Sequence, residues 1–202
     1  VFGDWSSDVC SSDLKNDITK EFLSRNTHIF SIEESLKIVA DIITYALEKV
    51  LHFNPISCSG NHIRELSSAM LQELGFTLAT GITYIDSIIE RRIPVYQFGN
   101  QLSFQLSCNL DIYEKVAKCR ADRRVLANII KELFKPKNEK SMLLRVFPRC
   151  KSLSFTLREP INNIIWGGGN CLTGFLEGTR AINVQAHDEA FAIHKMESVL
   201  II

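Results

Sequence analysis

Several polar residues of this chain stand just after short apolar runs, where a parallel strand-helix fold collects its chemistry. Ser59, Asn61 and His62 follow the run Pro55-Ile56-Ser57-Cys58. Gln185, His187, Asp188 and Glu189 follow the run from Arg180 to Val184. Ser103 lies inside the run Leu102–Leu106, and Arg25 comes shortly before His28-Ile29-Phe30. Each has a bland reading beside the functional one. A lone histidine at a strand end is more often a structural hydrogen-bonding group than a catalyst, and Arg25 suits a surface ion pair equally well. Gly167-Gly168-Gly169 suggests a phosphate-binding loop, but the Lys-Ser/Thr that follows a P-loop glycine is missing. Arg120, Arg123 and Arg124, with Lys115 and Lys118 on the same helical stretch, read as a solvated face. No GxSxG or HExxH occurs, so a hydrolase has no local support.

The elements that must position these residues can be read from periodicity. Ile32, Leu36, Val39, Ile43, Leu47 and Val50 recur at three- and four-residue steps, which predicts a helix from Ser31 to Leu51. Ser31 and Glu34 form a capping-box pattern at its start. His28–Phe30 and Pro55–Cys58 are short strand candidates on either side. A second helix is expected from about Ile63 to Ala79, and another after Gly81 up to Arg91, stopped by Pro94. Leu102–Leu106 reads as a buried strand and Asp111–Phe134 as the longest helix, closed by Pro136. Met142–Phe147 is the next strand, and a helix begins near Pro160. Arg180–Val184 is the last strand, followed by a helix from Asp188. Strands alternating with long helices imply an α/β fold with a parallel sheet. The short apolar strands suit a barrel wall, with an open doubly wound sheet as the alternative. No GxGxxG follows a strand to favour a dinucleotide site.

Composition narrows the class further. The 202 residues carry a formal net charge of zero, so nothing electrostatic calls for nucleic acid or a polybasic membrane contact. No apolar run approaches the roughly 18 residues of a membrane helix. Residues 3–14, GDWSSDVCSSDL, resemble a translated sequencing adapter, and residues 1–14 are expected to be artefactual or disordered. That leaves Cys58, Cys108, Cys119, Cys150 and Cys171, widely spaced and without a CxxC, so neither a disulfide framework nor a zinc site is indicated. The expected metal ligands are none, and the thiols suit a reducing cytosol or organelle matrix.

Several segments carry a resemblance jointly. Asn16-Asp17-Ile18, Lys20-Glu21-Phe22 and Arg25-Asn26-Thr27 stand in register with Ile38–Ile42 (IVADI) and with Phe53–His62 (FNPISCSGNH). Gln72-Glu73-Leu74, Phe76–Ala79, Leu102-Ser103-Phe104, Pro136-Lys137-Asn138, Asn162-Asn163 and Asp188-Glu189-Ala190 continue the series. From residue 15 to about 193 the chain resembles the adenosylcobalamin-dependent acyl-CoA mutases, most of all the methylmalonyl-CoA mutase large subunit. The resemblance implies a partial (β/α)₈ barrel over residues 15–202, binding acyl-CoA and made of the later βα units. It also implies an isomerase in which cobalt–carbon homolysis gives a 5′-deoxyadenosyl radical and the acyl-CoA group migrates to the neighbouring carbon.

By position, His62 matches the histidine that hydrogen-bonds the thioester carbonyl, and Arg25 the arginine that pairs with the substrate's free carboxylate. Ser103 matches a CoA-contacting serine, while Glu65, Glu189 and Ala190 match positions lining the cobalamin face. There are departures. Asn61 stands where tyrosine is usual. Lys15 replaces a substrate-contacting glutamine, His52 a CoA-facing lysine, and Gln101 a CoA-binding arginine. Phe147, Arg149 and Leu153 replace a histidine, glutamine and tryptophan that face substrate and cofactor. Gly167–Gly169 stand in a helix where the family has none of them, at about 1 kcal/mol each relative to alanine.

The resemblance therefore implies a mutase of the methylmalonyl-CoA type. The alternatives are a related mutase with a different acyl-CoA substrate and a non-catalytic, degenerate partner subunit. The 202-residue chain is expected to be inactive alone, without the first barrel strands, an upstream tyrosine and a cobalamin domain with its DxHxxG motif. A homo- or heterodimer is expected of the full-length protein, in a bacterial or archaeal cytoplasm or a mitochondrial matrix.

Overall fold

A computed structural model describes residues 16–50, 54–108, 111–136, 138, 142–143, 145–150, 155–179, 181–190, 196 and 198. Its elements run in the order expected of consecutive strand-helix units. A short helix α1 (Ile18–Lys20) leads into a π-helical turn (Glu21–Arg25) and then α2 (Ile32–Lys49). β1 (Ile56–Ser59) is followed by α3 (Gly60–Glu65) and α4 (Met70–Ile89). α5 (Val95–Phe98) and a 3₁₀ turn (Gly99–Gln101) lead into β2 (Leu102–Cys108), then α6 (Ile112–Phe134), β3 (Arg145–Cys150) and α7 (Pro160–Glu177). The strands lie in the order β1-β2-β3, and β1 pairs with β2 in parallel. This is the α/β class of βα units that the alternation implied.

The chain forms two compact units. The first comprises residues 1–105 and 122–145, the second residues 106–121 and 146–202.

In the first unit, α2 begins as its sequence dictates. The Ser31 hydroxyl accepts from the Glu34 amide, and the Glu34 carboxylate accepts from the Ser31 amide, closing the capping box. Val39 and Ile43 of α2 then meet Ile56 and Cys58 of β1, Tyr84, Ile85 and Ile88 of α4, and Leu102 and Phe104 of β2 in one core. Register pairs Ile56 with Leu102 and Cys58 with Phe104, so these four share one face of the sheet. The alternate positions, Ser57 and Ser59 opposite Ser103 and Gln105, share the other face, and all four are buried. One face of the β1-β2 pair is thus greasy and packed on helices, the other lined with hydroxyl and amide groups.

Two expectations are corrected in this unit. His28–Phe30 is no strand: Ile29 is 92% exposed, and His28 instead stacks on Phe22 with ring centroids 4.3 Å apart. Asn26, in the left-handed region at φ 50°, turns the chain there, and the capped helix starts five residues later. The break in the next helical stretch falls at Leu66–Ala69 rather than near Gly81. Ser67 has φ 66°, the Ser68 hydroxyl donates to the Ile63 carbonyl, and the Ala69 amide donates to the Gln72 side chain to restart the helix as α4. α4 runs on through Gly81, where a Cβ would sit 2.7 Å from the Phe104 ring, so that glycine serves packing rather than termination.

In the second unit, Lys115 and Lys118 are not on a solvated face. Both are buried: Lys118 Nζ donates to the Ser107 carbonyl at 2.6 Å, and Lys115 Nζ to the Asn170 side chain. Arg120 and Arg124 are exposed, as the charge pattern suggested. Gly167–Gly169 do not interrupt α7, which is helical from Pro160 to Glu177 and ends at Gly178 with φ 68°. The expected last strand at 180–184 is reduced to a single bridge between Asn183 and Arg149, with the Asn183 amide donating to the Pro148 carbonyl. Pro148 has no N–H with which to extend a ladder. Residues 187–190 form a turn, so a helix does not begin at Asp188, and residues 196 and 198 further on are helical. The segment 1–14 lies outside the described residues.

Gly60 is the tightest joint of the first unit. A Cβ there would sit 2.0 Å from Thr77 Oγ1 and 3.1 Å from Thr77 Cβ, so α3 reaches α4 only through a glycine. Gly60→Ala should therefore lower stability by about 1–3 kcal/mol, read as a shifted urea midpoint. Thr77→Ala in the same chain should recover part of that loss. An unchanged midpoint in Gly60→Ala alone would show that the contact does not constrain α3.

Candidate active site

The site in the first unit is organised by a residue to which no role was assigned on sequence. Asp17 is buried at 3% exposure and caps α1 through the Lys20 amide at 3.2 Å. Its Oδ1 also accepts from Thr19 Oγ1 at 2.7 Å and from the Tyr84 hydroxyl at 2.8 Å. Its Oδ2 accepts from the Ser59 amide at 2.6 Å, at the C-terminal end of β1. One carboxylate thereby fastens the Arg25-bearing segment to both α4 and the strand end that launches α3 and His62. Burial raises the Tyr84 phenol's pKa strongly, and the Asp17 charge adds to it, so Tyr84 remains a donor to Asp17. The signal in the sequence was an aspartate immediately before Ile-Thr-Lys, an N-cap pattern too short to stand out.

His62 lies in α3, with its Nδ1 3.1 Å from Glu65 Oε2, one helical turn on. Burial pushes the imidazole's affinity for a proton down. The Glu65 carboxylate pulls the other way, and the charges of Lys20 and Arg25 push it down further, leaving the ring below its ordinary value. A neutral ring facing an acceptor-only carboxylate carries its proton on Nδ1. Nε2 then becomes a donor only when the ring takes a second proton. That Arg25 acts on His62 at all reflects the packing of the π-helical turn against α3.

Arg25 ends that turn, with its side chain 53% exposed and its Nη1 3.7 Å from Glu21 Oε1. Glu21 also pairs with the buried Lys20 at 2.8 Å and accepts from Thr27. Burial raises the Glu21 carboxyl's pKa, but Lys20, Thr27 and Arg25 outweigh this and hold it below its ordinary value. The Arg25–Glu21 pair is long and solvated, so an incoming carboxylate displaces Glu21 at little cost.

The remaining candidates are spread along the sheet. Ser103 is buried in β2, and its hydroxyl donates to the Ile56 carbonyl at 3.1 Å. Gln101 is partly buried in the 3₁₀ turn before β2. Because β1 and β2 are parallel, Gln101 and Ser103 stand toward the opposite end of the sheet from His62, joined to it by the polar face. Glu65 is the group on His62. Lys15, His52 and Leu153 lie outside the described residues. In the second unit, Arg149 is half-buried in β3, and Glu189 and Ala190 are half-buried in the turn at 187–190. That turn is fixed by Asn163, whose Nδ2 donates to the His187 and Thr156 carbonyls. Gly167 and Gly168 open a hollow of about 200 Å³ beside Val184, Gln185 and His187. Among the described residues, no three His, Cys, Asp or Glu side chains gather as a metal would need, and no helix is long and apolar enough to cross a membrane.

A model of the methylmalonyl-CoA mutase family matches residues 5–202. The chain belongs to the methylmalonyl-CoA mutase family. It is 37% identical over 188 residues to the human mitochondrial methylmalonyl-CoA mutase, covering 93% of this chain and 25% of that protein. It is equally similar to the enzyme of Rhizobium meliloti, at 37% over 188 residues, 93% of this chain and 26% of that protein. The large subunit of 2-hydroxyisobutanoyl-CoA mutase from Aquincola tertiaricarbonis is 38% identical over 185 residues, 91% of this chain and 33% of that protein. The chain thus spans about a quarter to a third of these mutases, which are isomerases by name.

The depressed His62 titration has a sign that stability can read. An unfolded histidine titrates near about 6.5. Below that pH the unfolded chain binds a proton that folded His62 holds less tightly, so stability falls as pH drops through about 6.5 toward 5. Above that range the group contributes no slope. His62→Gln should flatten the fall in urea midpoint between pH 7 and 5, whereas an unchanged profile would contradict the account of its surroundings.

Proposed function

We propose that residues 15–202 are the acyl-CoA-binding part of an adenosylcobalamin-dependent mutase barrel. Its reaction rearranges the carbon skeleton of an acyl-CoA, methylmalonyl-CoA to succinyl-CoA in the first place. The observation that carries this reading is the Asp17 bridge, which ties the segment bearing Arg25 to the strand end bearing His62.

In this reading Arg25 releases Glu21 and takes the free carboxylate of the substrate in bidentate geometry. His62 donates from Nε2 to the thioester oxygen. That donation needs a second proton on the ring, taken up from solvent before the substrate closes the site, while Glu65 holds the Nδ1 proton. The polar face from Ser103 to Ser59 accommodates the amide-rich arm of CoA, with Gln101 in the turn just before it, and Lys15 is proposed as a further substrate contact. When bound, the cofactor supplies the radical that abstracts hydrogen from the substrate. In the second unit, Glu189, Ala190 and Arg149 are the residues proposed to hold it, and in the first unit Glu65 is proposed to act through His62. The chemistry of the former suits a corrin bearing peripheral carboxamides: a carboxylate accepts from amide N–H groups and Arg149 donates to amide carbonyls.

A second reading, the same chemistry on a different acyl group, is favoured by Asn61, and a relative named for 2-hydroxyisobutanoyl-CoA fits it. The chain alone is proposed to be inactive, and the full-length protein to work as a dimer in the cytoplasm or mitochondrial matrix, the latter being where several relatives are named.

Full-length parent protein with adenosylcobalamin should convert methylmalonyl-CoA to succinyl-CoA. Arg25→Lys should raise KM at least about tenfold through loss of the bidentate fork. His62→Ala should lower kcat by about 10²–10³. Failure on every acyl-CoA, together with no cobalamin binding, would instead identify a non-catalytic partner subunit.

A further inference from the structure

Lys20 ends in an ammonium, yet its side chain is only 4% exposed. A buried charge is tolerable only beside a counter-charge. Among the described residues Glu21 supplies it, with Oε1 2.8 Å from Lys20 Nζ. Thr27 Oγ1 donates to the other oxygen of Glu21, Oε2, at 2.8 Å. Both oxygens therefore have a close partner before Arg25 is counted. Arg25 Nη1 stands 3.7 Å from Oε1, the oxygen that Lys20 already holds, and has no other ionic partner among the described residues. Asp17 does not relieve either cation: its carboxylate takes the backbone amide of Lys20 and not the ammonium. Two cations thus share Glu21, and the surplus positive charge sits on the half-exposed guanidinium. Against burial, which raises the Glu21 carboxyl's pKa, Lys20 and Thr27 act more strongly than Arg25.

The effect of Lys20 is clearest from its removal. Without it, Oε1 of Glu21 has one cation left, and the four-residue spacing along the π-helical turn lets Arg25 close on it. A guanidinium closed on a carboxylate in bidentate geometry is a strong charge-assisted pair, whereas a shared, solvated pair is worth little. We infer that Lys20 is a positioning residue that occupies Glu21 and so keeps Arg25 available to the carboxylate of the substrate. This rests on the role given to Arg25 above and deepens it, because a carboxylate four residues away in the chain otherwise competes with the substrate's. Lys20, enclosed as it is, acts through Glu21 and not on the substrate.

The test compares methylmalonyl-CoA with propionyl-CoA, which differ by the carboxylate alone. Binding is measured calorimetrically on full-length parent protein, with hydroxocobalamin replacing the cofactor so that nothing turns over. The parent should bind methylmalonyl-CoA at least about tenfold more tightly. Lys20→Met should weaken methylmalonyl-CoA at least about fivefold and leave propionyl-CoA within about twofold of the parent. Adding Glu21→Gln to Lys20→Met should return methylmalonyl-CoA to within about twofold of the parent, a recovery that a packing fault would not show. Lys20→Gln gives the same readouts if the methionine variants do not fold. Unchanged methylmalonyl-CoA affinity in Lys20→Met overturns the inference. Equal weakening of both thioesters, or no recovery in the double variant, also overturns it, by leaving Lys20 a structural role only. A parent that binds both thioesters alike rejects the carboxylate role of Arg25, and the inference with it.

Discussion

The first unit depends on one buried carboxylate. Asp17 has no cation beside it in its hydrogen-bond set. It is held instead by four donors: two hydroxyls and two backbone amides. Charge-assisted bonds of this kind are the strong ones, and a buried carboxylate is tolerable only when its lone pairs are met in this way. The donors come from three places far apart in sequence: the start of α1, the end of β1 and the middle of α4. The bridge therefore does more than cap a helix. It sets where the π-helical turn lies relative to α3, and so where the two polar side chains those segments carry, Arg25 and His62, stand. Around the ring, Glu65, Lys20 and Arg25 act on its proton in opposing directions, and burial decides the balance.

The sheet supplies the second constraint. Strict alternation along β1 and β2 sends Ile56, Cys58, Leu102 and Phe104 into the helices and leaves Ser57, Ser59, Ser103 and Gln105 on the opposite face. A strand buried on both sides would ordinarily be apolar on both. Here one side is hydroxyl and amide, and Ser57 Oγ and Gln105 Oε1 have no hydrogen-bond partner among the described residues. A core built for stability alone would have been filled with aliphatic side chains, and this face is the one on which the proposed reading places the acyl-CoA. Gly60 and Gly81 show the complementary economy on the packed side, where a missing Cβ lets α3 and α4 approach their neighbours.

Much of this architecture was legible in the residues. The capping box at Ser31, the burial of Leu102–Leu106, the long helix ending before Pro136 and the helix starting at Pro160 all follow from local rules that tertiary contacts reinforce. Where reading failed, a long-range contact had replaced the local one. Gly81 looked like a terminator but fits under Phe104. Lys115 and Lys118 looked solvated because their partners, Asn170 and Ser107, lie on other elements. His28–Phe30 had strand composition but no neighbour to pair with among the described residues. The site followed the same rule. His62 and Arg25 took roles from the family resemblance, whereas Asp17, which relates them, stood in a matching segment without one. Nor could sequence show that Asn61 is enclosed with both amide ends unmet among the described residues.

The most direct measurement of the central claim is native-state hydrogen exchange at the Lys20 and Ser59 amides, both of which donate to Asp17. If Asp17 joins the Arg25 segment to the end of β1, the two amides open together, and Asp17→Ala lowers the protection of both by a similar factor. Retention of full protection at Ser59 while Lys20 exchanges freely would show that the two segments are held independently, and would contradict the account.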